Sequence, residues 1–154
     1  MRIAVGSDHR GFSLKEELIP FLRKNGIEVA DLGTHHEKSA SDYPDVAAKV
    51  ARRVAQGAFD RGLLICGTGI GMSIAANKIK GIRAARCTTR RDAVLSREHN
   101  DANVLALGGA VTPLKRAKDI VAIWLKTDFE GGRHLRRVKK IGKIEKGLVT
   151  KGAE

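Results

Sequence analysis

The chain has 154 residues, of which 42% are hydrophobic and only 4% aromatic, and a formal charge of +12 at pH 7. That length suits one domain, residues 1–154, with a core of Ile, Val, Leu and Ala. No apolar run is long enough to span a bilayer, the opening MRIAVGSDH lacks the features of a signal peptide, and two cysteines give no disulfide framework, so a soluble cytoplasmic protein with reduced thiols is expected.

Short apolar runs alternate with helix-like segments. Arg2–Gly6 reads as a strand. Ser13 and Glu16 have capping-box spacing, which predicts a helix carrying Leu14, Leu18, Ile19 and Leu22 on one face and ending near Asn25-Gly26. Pro20 inside it predicts a local irregularity. Ile27–Leu32 is a second strand and His35–Asp42 a polar loop. Pro44 suits the first turn of the next helix, with Asp42 or Tyr43 near its cap. Val46, Val50 and Val54 recur at helical spacing until Gly57. Gly62–Cys66 is a third strand, apolar enough to be covered on both faces. A helix over Ile70–Lys78 follows a glycine loop. Ile82–Cys87 is a fourth strand, Arg90–Glu98 a helix, and Val104–Leu107 a fifth strand. Thr112-Pro113 predicts a cap and first-turn proline for a helix burying Leu114, Ala117, Ile120, Val121 and Trp124. The last helix, about 133–146, has few apolar anchors (Leu135, Val138, Ile141), so it is expected to lie across a partner subunit or to fray. A basic tail, about 147–154, follows.

Strand–helix alternation of this kind predicts a three-layer α/β/α sandwich, Rossmann-like, with a five-stranded parallel sheet. Ligands of such sheets bind beyond the carboxyl ends of the strands, where strand order reverses. Ser7-Asp8-His9 and Gly67–Gly71 both follow strand ends. The positive charge asks for an anionic partner: a phosphorylated metabolite, nucleic acid or a membrane surface. Its densest stretch holds Arg133, Arg136, Arg137, Lys139, Lys140, Lys143, Lys146 and Lys151 against Glu145 alone.

The glycines of LLICGTGIGMSIAANK, residues 63–78, have the spacing G-x-G-x-G. That is neither the dinucleotide fingerprint nor a P-loop, and a tight strand-to-helix turn is the plainer alternative. Cys66 ends the strand that precedes them. Amides at a helix start favour negative charge, so a thiol there is expected to ionise more readily and to act as nucleophile or base beside an oxyanion cradle. The alternative is a buried structural cysteine. Cys87, inside an apolar strand, is expected to be structural. His9 and His99 are both candidate partners for the thiol. The histidines and cysteines lack close metal-ligand spacing, so no metal is expected.

Several blocks then carry a resemblance: Ser7-Asp8-His9-x-Gly11-Phe12, Asp42-Tyr43-Pro44, Cys66-Gly67-Thr68-Gly69-Ile70-Gly71 continuing to Lys78, Ser96-Arg97-x-His99-Asn100, and Glu130-Gly131-Gly132-Arg133-His134 with Arg137. In this order, from about Arg2 to Glu145, the chain resembles the type B ribose-5-phosphate isomerases, within the wider family that includes allose- and galactose-6-phosphate isomerases. The resemblance implies a cofactor-free, metal-free aldose–ketose isomerase of the pentose phosphate pathway, with active sites shared between the subunits of a homodimer or a dimer of dimers. It implies Cys66 as the base moving a proton between C1 and C2, and Gly67, Gly69, Ile70 and Gly71 as the cradle of a cis-enediolate. Thr68 would assist proton transfer, and His99 would open the sugar ring. Asp8 would bind sugar hydroxyls, Tyr43 the sugar, and Asn100 the intermediate. His9, Arg133 and Arg137 would hold phosphate, the arginines arriving from the partner. Arg133 and Arg137 are four apart and share a helix face, whereas His134 is expected to point elsewhere. His35 and His36 receive no role.

Two departures stand out. The family commonly has an arginine after the fifth strand that helps bind phosphate, where this chain has Gly108-Gly109-Ala110. After the fourth strand this chain has Thr89-Arg90-Arg91 in place of an acid, a proline and an aromatic. Arg90 or Arg91 is therefore a candidate replacement cation, and allose 6-phosphate or a tetrose phosphate is an alternative substrate. Nucleic-acid binding is the lesser reading, since the chain offers almost no aromatics for stacking.

Overall fold

The structure is a computed structural model that describes residues 1–36 and 41–148. The rest of the expected polar loop (37–40) and most of the basic tail (149–154) lie outside the described residues. The elements are β1 (Arg2–Ser7), α1 (Phe12–Lys24), β2 (Glu28–Asp31), α2 (Tyr43–Ala55), β3 (Arg61–Cys66), α3 (Ile70–Ala76), β4 (Ala84–Arg86), α4 (Arg90–Glu98), β5 (Val104–Gly108), α5 (Leu114–Lys126) and α6 (Gly132–Glu145). The five strands form one parallel sheet in the order β2-β1-β3-β5-β4.

Side chains alternate across a strand, and here the alternation sorts residues by size. Ile3, Val5, Leu63, Ile65, Leu105 and Leu107 face α1, α4 and α5, where Trp124 completes the core. Ala4, Leu64, Cys66, Val104 and Ala106 face α2 and α3. Small residues on that second face let α2 approach closely. A Cβ added at Gly6 would lie 2.8 Å from methyls of both Val46 and Val50, so a larger residue there would push the helix off the sheet.

Two buried cations are paired, whereas Ser7 Oγ, Trp124 Nε1 and His134 Nδ1 have no hydrogen-bond partner among the described residues. Lys15, fully buried on α1, donates to Asp31 and to the Thr34 carbonyl at 2.8 Å, tying the end of β2 to the first helix. Arg61 donates to the Trp124 and Leu125 carbonyls and lies over the indole ring. Its guanidinium pKa is lowered to about 10, first by burial and then by Arg97.

Some local expectations are corrected. α1 starts at Phe12 with Gly11 as its cap and no side-chain cap bond, so Ser13 sits inside the first turn. The turn after β1 already supplies the stop that Ser13 was expected to provide: Asp8 accepts the Gly11 N–H. The helix runs on through Pro20, which sits on the exposed side. Pro113 is the cap of α5 rather than its first helical residue. β4 is only three residues, because Asn77 bonds both the N–H and the C=O of Ala84, the first strand residue. α4 begins where expected and carries a capping box between Thr89 and Asp92 that was not anticipated.

α6 differs from the rest. Its single buried residue is His134, and it packs closely on no other element among the described residues. Leu135, Ile141 and Ile144 are exposed.

Candidate active site

β1 and β3 are neighbours, and the chain leaves β1 toward β2 on one side while β3, β5 and β4 extend to the other. This is the switch point at which open α/β sheets bind ligands. Three strand ends are laced together there. Asp8 N–H donates to the Ile65 carbonyl at 3.2 Å, Gly109 N–H to the Cys66 carbonyl at 2.7 Å, and Ala110 N–H to the Gly67 carbonyl at 3.0 Å.

Cys66 closes β3 with one side against the α2/α3 core and is 5% exposed. Gly69 N–H donates to its Sγ at 3.1 Å. That bond requires Gly69: its φ is +77°, and a Cβ would fall 2.9 Å from the Leu107 carbonyl carbon. The first-turn amides of α3 have no intrahelical carbonyl to meet, so the loop presents donors beside the sulfur. Asp8 is buried, and one of its carboxylate oxygens accepts the Gly11 N–H at 2.9 Å. Tyr43 opens α2 with its ring against Gly71, where a Cβ would lie 2.6 Å from the ring. Thr68 is exposed, its hydroxyl oxygen accepting the Ile70 N–H at 3.3 Å. Ile70 is also exposed, and His9 is exposed next to Asp8. Asp8, His9, Tyr43, Cys66 and Gly67–Gly71 thus converge on one mouth.

His99, Asn100, Arg133 and Arg137 form a second group. No hydrogen bond, ion pair or ring contact among the described residues joins it to Cys66. His99 caps α4, and its ring stacks on His134 of α6, with centroids 4.1 Å apart and planes within 5°. His134, expected to point elsewhere, is instead 3% exposed. Its Nε2 accepts from Arg133 Nε at 3.3 Å and lies 3.3 Å from Glu130. Burial, then the His99 and Arg133 charges, holds its pKa below the usual imidazole value. Arg133 and Arg137 are exposed on α6. Asn100 is exposed and lines a cleft of about 540 Å³ beneath α6, with Ile82, Ile141 and Ile144.

His99, Glu130 and His134 offer three ligand atoms within 4.8 Å of one another. Parallel stacked rings carry their in-plane lone pairs side by side instead of toward one point, and Arg133 already donates to Nε2. The geometry is that of a hydrogen-bonded stack, not a tetrahedral cage.

Cys87 contrasts with Cys66. Its sulfur meets only the Ala85 carbonyl and the Ser96 hydroxyl, at 3.9 and 3.8 Å, and burial raises its pKa to about 11. Arg90 and Arg91 line a basic groove with Lys115 and Arg116. The cations that touch the glycine loop are two others that the sequence reading missed. Arg86 donates to the Thr68 carbonyl at 2.7 Å. Arg10 lies on Gly67, its Nε 3.1 Å from where a Cβ would stand. The spacing of Glu130 and His134, four residues apart on the approach to α6, was the available signal for the histidine stack.

A doubly wound parallel sheet with a cysteine beneath a glycine loop at its switch point defines a small-molecule α/β enzyme class. The particular family is then shown by comparison: residues 3–141 match the Ribose/Galactose Isomerase family, and the chain belongs to it. It is 53% identical over 144 residues to ribose-5-phosphate isomerase B of Escherichia coli, covering 94% of this chain and 96% of that protein. It is 41% identical to D-erythrulose-4-phosphate isomerase of Pectobacterium atrosepticum, covering 94% and 95%. Among solved structures, ribose-5-phosphate isomerase B of Clostridium thermocellum superposes with a TM-score of 0.94 at 58% identity, covering 96% of this chain and 99% of that one.

Proposed function

We propose that this chain is an aldose–ketose isomerase that interconverts ribose 5-phosphate and ribulose 5-phosphate in the cytoplasm, as a step of the pentose phosphate pathway. The observation that carries the reading is Cys66 Sγ at the β1/β3 switch point, with an amide of the glycine loop donating to it at 3.1 Å. A sulfur anion there can take the C2 proton of the open-chain aldose and return it to C1. The electron pair left at C2 becomes the C1–C2 double bond of a cis-enediolate. Reprotonation at C1 and loss of the O2 proton then give the ketose. The loop amides offset the charge that develops on oxygen, which is where such donors contribute most. Thr68, at the loop apex, carries a hydroxyl that can relay a proton between O1 and O2. The carboxylate of Asp8 and the Tyr43 ring bound the sugar.

His99 serves ring opening, Asn100 holds the intermediate, and Arg133 and Arg137 bind phosphate with His9. In this reading the second group is delivered by a partner subunit in a homodimer, or a dimer of dimers. The weak packing of α6 on its own domain and the exposed Leu135, Ile141 and Ile144 support that exchange. The reaction needs no cofactor: a proton moves within one substrate and no net oxidant is consumed.

Turnover of ribose 5-phosphate, followed by the appearance of ribulose 5-phosphate, tests the proposal, and absence of turnover by a folded dimer would reject it. A tetrose phosphate is the second reading, favoured by the 41% identity to an erythrulose-4-phosphate isomerase. The ratio of kcat/KM on the two sugars decides between them.

A further inference from the structure

Resting on the isomerase reading, we propose that Arg10 is a substrate-binding residue that takes the phosphate of the sugar, supplying the charge that Ala110 lacks. Arg10 sits in the turn between β1 and α1, directly after His9, and both residues are exposed. The end of its side chain sits over Gly67: a Cβ there would stand 3.1 Å from Nε, 3.2 Å from Cζ and 3.4 Å from Cδ. The missing side chain at 67 is therefore the seat of this arginine, one residue from Cys66. Ala110 meets the same residue, its N–H donating to the Gly67 carbonyl at 3.0 Å. Gly109 packs against the Arg10 carbonyl, 2.9 Å from where its Cβ would stand. Positions 10 and 110 thus both meet one loop residue, and the charge sits on the first.

The guanidinium is also uncommitted. Among the described residues Arg10 has neither an ion pair nor a side-chain hydrogen bond, whereas the other arginine on this loop, Arg86, is held by the Thr68 carbonyl. The nearest acid in sequence, Asp8, is buried and accepts from Gly11. An exposed guanidinium fixed along its stem with its donors free matches the fork geometry that a phosphate accepts. It stands beside His9, so imidazole and guanidinium would receive the same dianion.

The test compares the wild-type protein with Arg10→Ala, Arg10→Lys and Arg10→Ala/Ala110→Arg. The readouts are kcat and KM for ribose 5-phosphate, and the affinity for inorganic phosphate by competitive inhibition and by calorimetry. Loss of a charge-assisted bidentate contact is expected to raise KM and weaken phosphate binding by about 10–100-fold in Arg10→Ala, with kcat falling less. Arg10→Lys recovers part of the loss, and adding Ala110→Arg recovers part of the phosphate affinity. Unchanged KM and unchanged phosphate affinity in a folded Arg10→Ala protein overturn the proposal. A double variant with no recovery overturns the claim that positions 10 and 110 serve one site. Should the wild type not turn over ribose 5-phosphate, the isomerase reading fails, while calorimetry with inorganic phosphate still decides the role of Arg10.

Discussion

The mouth around Cys66 and the limb formed by His99 and α6 are built in opposite ways. At the mouth, three strand ends are cross-bonded through Asp8, Gly109 and Ala110, and Cys66 is 5% exposed. The limb is a polar helix with one buried side chain, standing over an open cleft of about 540 Å³. A sheet edge can hold a reacting atom still because every neighbour is covalently near a strand. A helix with so few anchors is placed by whatever covers its apolar stripe. The contrast teaches that Cys66 is fixed by its own sheet, whereas the position of Arg133 and Arg137 depends on what covers α6.

The largest expected effect falls on the mouth. Cys66→Ala should lower kcat on ribose 5-phosphate by about 10²–10⁴-fold with an unchanged circular dichroism spectrum and melting temperature; a variant that keeps its turnover would remove the base from the mouth. The limb should be broken next by Ile141→Asp combined with Ile144→Asp. These exposed positions on α6 are expected to convert a dimer to monomers in sedimentation velocity and to make activity fall steeply with dilution. A variant that sediments as wild type would place the helix on its own domain.

A smaller effect should follow His134→Ala, which removes the ring stacked on His99 at 4.1 Å. Aromatic pairs are worth about 0.5–1.5 kcal/mol, so a loss of roughly two- to tenfold in kcat/KM is expected on the cyclic sugar. The same variant should lose less on substrate already presented in open-chain form. The pH dependence has a definite sign. His134 titrates below its ordinary value of 6.5 in the fold, so as pH falls below 6.5 the unfolded chain binds the proton first and stability declines. His134→Phe keeps a stacked ring without the titration, and its denaturant midpoint should be flatter between pH 7 and 5.

The smallest effect is expected at Cys87. Its thiol is raised to about 11 from 9.0 by burial, so its contribution to stability is intact below pH 9 and is lost as pH rises toward 11. Iodoacetamide at pH 8 should therefore leave Cys87 unmodified in the folded protein, as read by peptide mass, and Cys87→Ala should keep activity within about twofold.

Much of this was legible beforehand because it depends on local chemistry. The 3.6-residue spacing of Val46, Val50 and Val54 put α2 on the core, and the unbroken apolar run before Cys66 marked a strand covered on both sides. The glycines at 67, 69 and 71 marked the turn between β3 and α3. Boundaries were less legible where a tertiary contact intervened. The Asp8 carboxylate started α1 two residues early, and Asn77 trimmed β4 to three residues. Arg10 received no role because nothing in its own segment shows that it lies on Gly67, 57 positions away in the chain.

The sequence by itself therefore determined the alternation of strands and helices, the parallel sheet and the residues at its carboxyl edge, since these follow from periodicity and turn chemistry over a few residues. Only the tertiary structure decided that β5 inserts between β3 and β4, that His134 covers His99, and that Arg10 lies on Gly67. Those placements join segments far apart in the chain, and they are set by which surfaces bury each other and which glycine leaves room.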